Sequence, residues 1–191
     1  MEYVKFILAG SDKKTLSSIK NILSSNGHVF VGYAAETYNI TRLIRNCIPS
    51  LAVIYIKDNF RELKPVLEVI DEEILLACIL VLESRNEEVL DFARRAKAMS
   101  YLIKPVFDEV LLQIADLTLM NFERVLEYEG KVRKLNETLE SRKAVEKAKW
   151  ILVEKDGITE SEAYENIRKK SRDNRKPMKE IADAIILTSG L

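Results

Sequence analysis

At 191 residues and 47% apolar side chains, the chain is long enough for one ordinary domain plus a small appendage and can fill a core. Its 30 Lys and Arg balance 30 Asp and Glu, but unevenly: residues 131–191 hold 15 basic against 11 acidic, leaving 15 against 19 upstream. A polyanion partner is therefore expected for the C-terminal part only, and no run approaches the roughly 20 apolar residues of a membrane span.

The N-terminus lacks the basic start and apolar stretch of a signal peptide. Cys47 and Cys78 stand far apart, without CxxC spacing, and read as buried, unreactive thiols of a reducing cytoplasm. His28 is the only histidine and lacks the Cys or carboxylate company of a metal ligand, so a structural place at a strand edge is expected.

Residues 4–9 (VKFILA) form a nearly all-apolar run ending at Gly10, as suits a strand covered on both faces. Residues 15–25 then carry Leu16, Ile19, Ile22 and Leu23 at helical spacing and stop at Gly27. Further strands are expected at residues 28–33, 51–56, 78–82 and 101–103, with helices at 40–47, 62–70 and 87–96. Such alternation requires right-handed crossovers, hence an α/β domain with a five-stranded parallel, doubly wound sheet.

The order and spacing resemble a response-regulator receiver domain, with its flavodoxin-like fold, over about residues 1–128. The resemblance implies an acidic pair after strand 1, a phospho-accepting Asp after strand 3, a hydroxyl residue after strand 4 and Lys-Pro after strand 5. Only Lys104 and Pro105 survive. Gly10 and Ser11 fall at the acidic pair with Asp12 one place beyond, Tyr55 at the phospho-acceptor and Glu83 at the hydroxyl position. A phenol cannot form an acyl phosphate, and one acid is a poor Mg²⁺ cage. The expectation is a pseudo-receiver that works without phosphorylation, with Ser11, Asp12, Glu83 and Lys104 as a remnant pocket. Tyr55 is either a plain buried aromatic or a switch, Lys104 pairs with Asp12 or Glu83, and the bond before Pro105 is a candidate cis peptide.

From Asp108, an expected N-cap, a helical pattern runs to Asp156 with Gly130 as its weak spot. Apolar residues at three- and four-residue steps make a heptad seam interrupted by Thr118 and Asn121. Its later members, Val125, Tyr128, Val132, Leu135 and Leu139, are expected to pair two copies as a parallel coiled coil, with Asn121 fixing the register.

Gly157 stops that helix, Thr159 and Glu162 make a capping box, residues 174–176 form a link, and Pro177 opens a last helix. Val145, Ala148, Leu152, Ala163, Tyr164, Ile167, Met178, Ile181, Ala182, Ile185 and Ile186 can close a small three-helix core. At this point Leu139, Ser141, Arg142, Val145, Glu146, Ala148, Lys149, Gly157, Ala163, Tyr164, Ile167, Arg168, Ser171, Asn174, Arg175, Lys176 and Ala182 resemble the signature of the ANTAR domain, the RNA-binding module of transcription antitermination regulators. The organisation expected is a receiver-like domain at 1–122, a coiled-coil linker at 123–138 and an ANTAR domain at 139–189.

The resemblance implies binding to two short hairpins of a nascent transcript, so that a terminator does not form. Arg168, Lys169, Lys170, Arg175 and Lys176 supply a phosphate-tracking surface, while Arg142, Lys149, Tyr164 and Arg168 match signature positions suited to loop bases. Trp150, where the family more often has Gly, either stacks on a base or, as expected here, fills a gap in the bundle. No nucleophile–base pair, phosphate loop or metal cluster suggests an enzyme, and no cofactor is implied. The rivals are a DNA-binding response regulator and an interaction adaptor carrying a regulatory protein on the receiver face. A helix-turn-helix is disfavoured because residues 171–176 make too long a turn.

Overall fold

A computed structural model describes residues 3–189. The chain divides between Glu127 and Tyr128 into two compact units, five residues beyond the boundary expected from sequence. The first contains β1 (Lys5–Ala9), α1 (Lys13–Ser25), β2 (Val29–Ala34), α2 (Thr37–Cys47), β3 (Leu51–Ile56), α3 (Phe60–Glu72), β4 (Ala77–Leu82), α4 (Glu87–Arg95) and β5 (Met99–Ile103). The long α5 (Asp108–Asp156) follows, then α6 (Glu160–Asn174) and α7 (Met178–Thr188). Among the described residues no helix is long and apolar enough to cross a membrane.

All strand pairings are parallel, in the order β2-β1-β3-β4-β5. Every residue of β3 and β4 is buried, which explains their unbroken apolar runs: side chains alternate between two covered faces. Ile54 and Ile56 face one core with Ile40, Leu67 and Leu90, from α2, α3 and α4. Val53 and Tyr55 face the other, with Leu16 and Ile19 of α1 and Leu111 and Ala115 of α5.

Local chemistry sets the element ends. Asp12 caps α1 by accepting from the Lys14 and Thr15 amides, both at 3.1 Å, so that helix begins earlier than periodicity alone suggested. Asp108 is the first residue of α5 rather than its cap; the Phe107 carbonyl accepts from the Leu111 amide at 2.9 Å. Gly10 lies at φ +129°, and a Cβ there would stand 2.8 Å from the Tyr55 Cβ, so this close approach of β1 to β3 needs glycine.

Two expectations change. Cys47 is only half-buried and its thiol lies 3.6 Å from the Val31 carbonyl, because it ends α2 at the sheet edge; Cys78 is buried, and burial pushes its thiol up. Thr118 does not interrupt an open seam: it is buried and its hydroxyl lies 2.8 Å from that of Ser100. Asn121 donates to the Lys97 carbonyl at 2.8 Å, which ties its side-chain amide within the first unit.

In the second unit, Val145, Ala148, Ile167 and Ala182 form the buried centre, flanked by Leu152, Met178, Ile181, Ile185 and Ile186. Gly157, at φ +66°, closes α5 through its amide to the Val153 carbonyl. Both halves of the Thr159–Glu162 capping box are present. Since α6 ends at Asn174 and α7 starts at Met178, residues 175–177 alone connect them. That is helix-turn-helix length, and the sequence argument from a long turn therefore fails. Arg175 makes the tight corner possible by adopting a left-handed conformation at φ 52°.

Candidate nucleic-acid interface and remnant receiver pocket

The carboxyl ends of β1, β3, β4 and β5 bring Asp12, Tyr55, Glu83 and Lys104 together. The Lys104 ammonium stands 3.0 Å from Asp12 Oδ2 and 2.9 Å from Glu83 Oε2, pairing with both carboxylates. Tyr55, a 2% exposed residue, donates its hydroxyl to Glu83, and Lys104 Nζ lies 5.5 Å from its ring centroid. Tyr55 is thus a buried ring with a working phenol. Ser11 and Lys57 line the opening above, and the Lys104–Pro105 peptide is cis, as the sequence suggested.

Hydrogen bonds from Thr15, then Lys104, hold the Asp12 carboxyl well below the usual carboxylate range. The Tyr55 hydroxyl, then Lys104, lower that of Glu83, while Glu83 and Asp12 raise Lys104. Burial, then the bond to Glu83, pushes Tyr55 up to about 12. Two anions, one cation and a neutral phenol satisfy one another. Among the described residues no group of three or more His, Cys, Asp or Glu could hold a metal ion.

The Tyr55 phenol has a consequence for stability. In the unfolded chain it ionises near pH 10 and in the fold near 12, so its contribution is complete below pH 10 and is lost as pH rises toward 12. By linkage that difference corresponds to roughly 3 kcal/mol. Urea unfolding between pH 9 and 11.5 should show Tyr55→Phe losing less stability than the parent; parallel losses would place the phenol in water-like surroundings.

In the second unit, Arg168, Lys169, Lys170, Arg175 and Lys176 are all exposed on the last turns of α6 and the corner after it. The corner is fixed: the Lys176 amide donates to the Ser171 carbonyl at 3.0 Å, and the Ser171 hydroxyl donates to the Lys176 carbonyl at 2.6 Å. Arg168 pairs with Glu165 at 3.1 Å and Lys176 with Glu180 at 3.4 Å; exposed pairs of this kind are weak and a phosphate can displace them. Arg142 is exposed on α5.

Two residues sit differently from expectation. Trp150 is 54% exposed and does not fill the bundle. Ala148 faces the core, and at 100° per residue position 150 points to the opposite side of α5. The Lys149 side chain is only 13% exposed, its ammonium 3.0 Å from Glu146 and 3.4 Å from Glu160, where it ties α5 to α6. Tyr164 is 41% exposed although its neighbour Ala163 is fully buried. Thr15, which sequence reasoning passed over, was discoverable from its three-residue spacing to the capping Asp12; Tyr33, whose hydroxyl donates to the Gly10 carbonyl at 2.6 Å, carried no such signal.

The family described as the ANTAR domain matches residues 133–186. The chain carries an ANTAR domain over these residues. Its ANTAR domain begins inside α5 and ends inside α7. The transcriptional regulatory protein PdtaR of Mycobacterium tuberculosis is 29% identical over 187 residues, 97% of this chain and 91% of that protein. The nitrate regulatory protein of Klebsiella oxytoca is 32% identical over 79 residues, 41% of this chain and 20% of that one. Among solved structures, a response regulator receiver domain protein from Methanospirillum hungatei superposes with a TM-score of 0.55 and 25% identity, covering 64% of this chain and 98% of that one. The signal receiver domain of a modulated diguanylate cyclase from Desulfovibrio desulfuricans gives the same TM-score and coverage at 16% identity. The receiver fold in front of the ANTAR domain is thereby established.

Proposed function

We propose that this protein is a non-enzymatic, cytoplasmic, RNA-binding antitermination regulator whose ANTAR domain grips hairpins of a nascent transcript and keeps a terminator from forming. The observation that carries this is the exposed cluster Arg168, Lys169, Lys170, Arg175 and Lys176 on an ANTAR domain within a chain of zero net charge. The receiver-like unit works without phosphoryl transfer, because Tyr55 occupies the acceptor position and Lys104 is already paired with both neighbouring carboxylates. It acts instead as a surface for a regulatory protein, and the ANTAR domains are paired as a homodimer through α5.

Duplex DNA is the alternative that the three-residue turn between α6 and α7 favours. Against it, α7 turns Met178, Ile181, Ile185 and Ile186 into the bundle, leaving few polar side chains to read base edges. A titration of the purified protein against a double-hairpin RNA and a DNA duplex of equal charge decides between them. RNA binding tighter by roughly tenfold or more is expected, a margin well below the usual gap between specific and non-specific binding. Acetyl phosphate with Mg²⁺ should leave that affinity and the intact mass unchanged. Equal affinity for the duplex, or a stoichiometric phosphoryl adduct that changes binding, would overturn the corresponding half of the proposal.

A further inference from the structure

One opening in the first unit lies away from the carboxyl ends of the strands, where open α/β sheets commonly bind ligands and where Lys104 closes its own ion pairs. It is a groove of about 440 Å³ at the opposite edge of the sheet, in the range of small-molecule sites. Val4, His28 and Ser50, which immediately precede β1, β2 and β3, line one wall. Asp116, Leu119 and Glu123, spaced three and four residues along α5, line the other, with Phe122 beside them.

Its charges are one-sided. Asp116 and Glu123 contribute two carboxylates, no Lys or Arg lines the groove, and neither acid has an ion-pair partner among the described residues. A second, independent feature lies in the same wall: His28 is 7% exposed and its Nδ1 has no hydrogen-bond partner among the described residues. Buried polar atoms are rarely left without a partner, and in the tautomer protonated at Nε2 the Nδ1 atom accepts from an N–H donor. Leu119, Phe122 and Val4 add an apolar floor.

We infer that this groove is a binding site for a small organic ammonium ion with an apolar body, the ammonium held between Asp116 and Glu123 beside His28. Such a site gives the receiver-like unit a chemical input that uses none of the remnant pocket. Because His28 is the only histidine, its ring Cε1–Hε1 signal reports on the groove without ambiguity.

The experiment titrates the full-length protein with 2-phenylethylammonium and, in parallel, with 3-phenylpropionate, which has a similar apolar body and the opposite charge. The expected result is a saturable shift of the His28 signal with a dissociation constant on the order of 1 mM, ordinary for a ligand of about nine heavy atoms. Asp116→Asn with Glu123→Gln, near-isosteric changes that keep the groove's shape, should weaken that constant about fivefold or more, the range of a lost charge-assisted bond. The phenylpropionate should leave the signal in place. No saturable shift with the amine, equal shifts from both probes, or an unchanged constant in the double variant would each overturn the inference, and circular dichroism confirms that the variant is folded.

Discussion

Replacing Lys169, Lys170 and Lys176 together by Ala should weaken binding to every hairpin RNA, cognate or scrambled, by about 100-fold at low salt. Flexible ammonium groups act on phosphates as point charges, and removing one such charge takes about 0.7 to 0.9 off the slope of log affinity against log salt. The triple variant should therefore flatten that slope by about two while leaving the ratio between cognate and scrambled RNA intact. Arg142→Ala or Arg168→Ala should behave in the opposite way. Each is an exposed guanidinium able to stack on a splayed base or bond its edge, so its loss should cost roughly 1 to 3 kcal/mol on the cognate loop and erase the preference. Lys149, held between Glu146 and Glu160, is expected to act on bundle stability more than on RNA. Trp150 and Tyr164, with their exposed rings, are the stacking candidates. If the arginine variants lose affinity equally for both RNAs, base recognition lies with those two rings.

The second large effect concerns oligomeric state. Tyr128, Val132, Leu135 and Leu139 are 62%, 51%, 68% and 50% exposed on α5, at the four-three-four spacing of a coiled-coil seam. Val125, one heptad before Val132, is half-buried. Among the described residues nothing within the second unit covers the stripe, since its bundle core takes residues from Ala144 onward. A second copy is the expected cover. Val132→Lys with Leu135→Lys would bury four ammonium groups in a paired seam, at several kcal/mol unless the strands part, and sedimentation should then report a monomer. A double variant that stays dimeric would move the interface to the receiver-like unit. Asn121, whose side chain the Lys97 carbonyl holds, is left unchanged in this test.

The elements that were easiest to read were those whose neighbours matter least. Fully buried strands such as β3 and β4 betray themselves as apolar runs, and the order of runs and helical patterns prescribes a parallel sheet whatever the side chains do in detail. The capping box at Thr159 and the stop at Gly157 are equally local, decided by hydrogen bonds within a few residues. The absence of a carboxylate at the expected acceptor position was legible as well, since it follows from residue type: a phenol at Tyr55 is no carboxylate in any conformation.

What sequence left open depended on partners distant in the chain or on the angle at which a helix presents a side chain. The pairing of Lys104 with both Asp12 and Glu83, rather than one, needs the strand ends to converge across 92 and 21 residues. The bond from Asn121 to Lys97 spans 24 residues and ties that side chain within the receiver-like unit. Trp150 and Lys149 show the rotational half of the problem: adjacent in sequence and 100° apart on α5, one is presented to solvent and the other to carboxylates on α5 and α6. Composition and periodicity by themselves determined a parallel, doubly wound sheet followed by a basic helical bundle, because burial and charge are properties each residue carries with it. Which cations stay open to a polyanion, and which are spent on carboxylates, only the packing of α5 against α6 and the meeting of the strand ends decided, because an ion pair is a property of two positions in space.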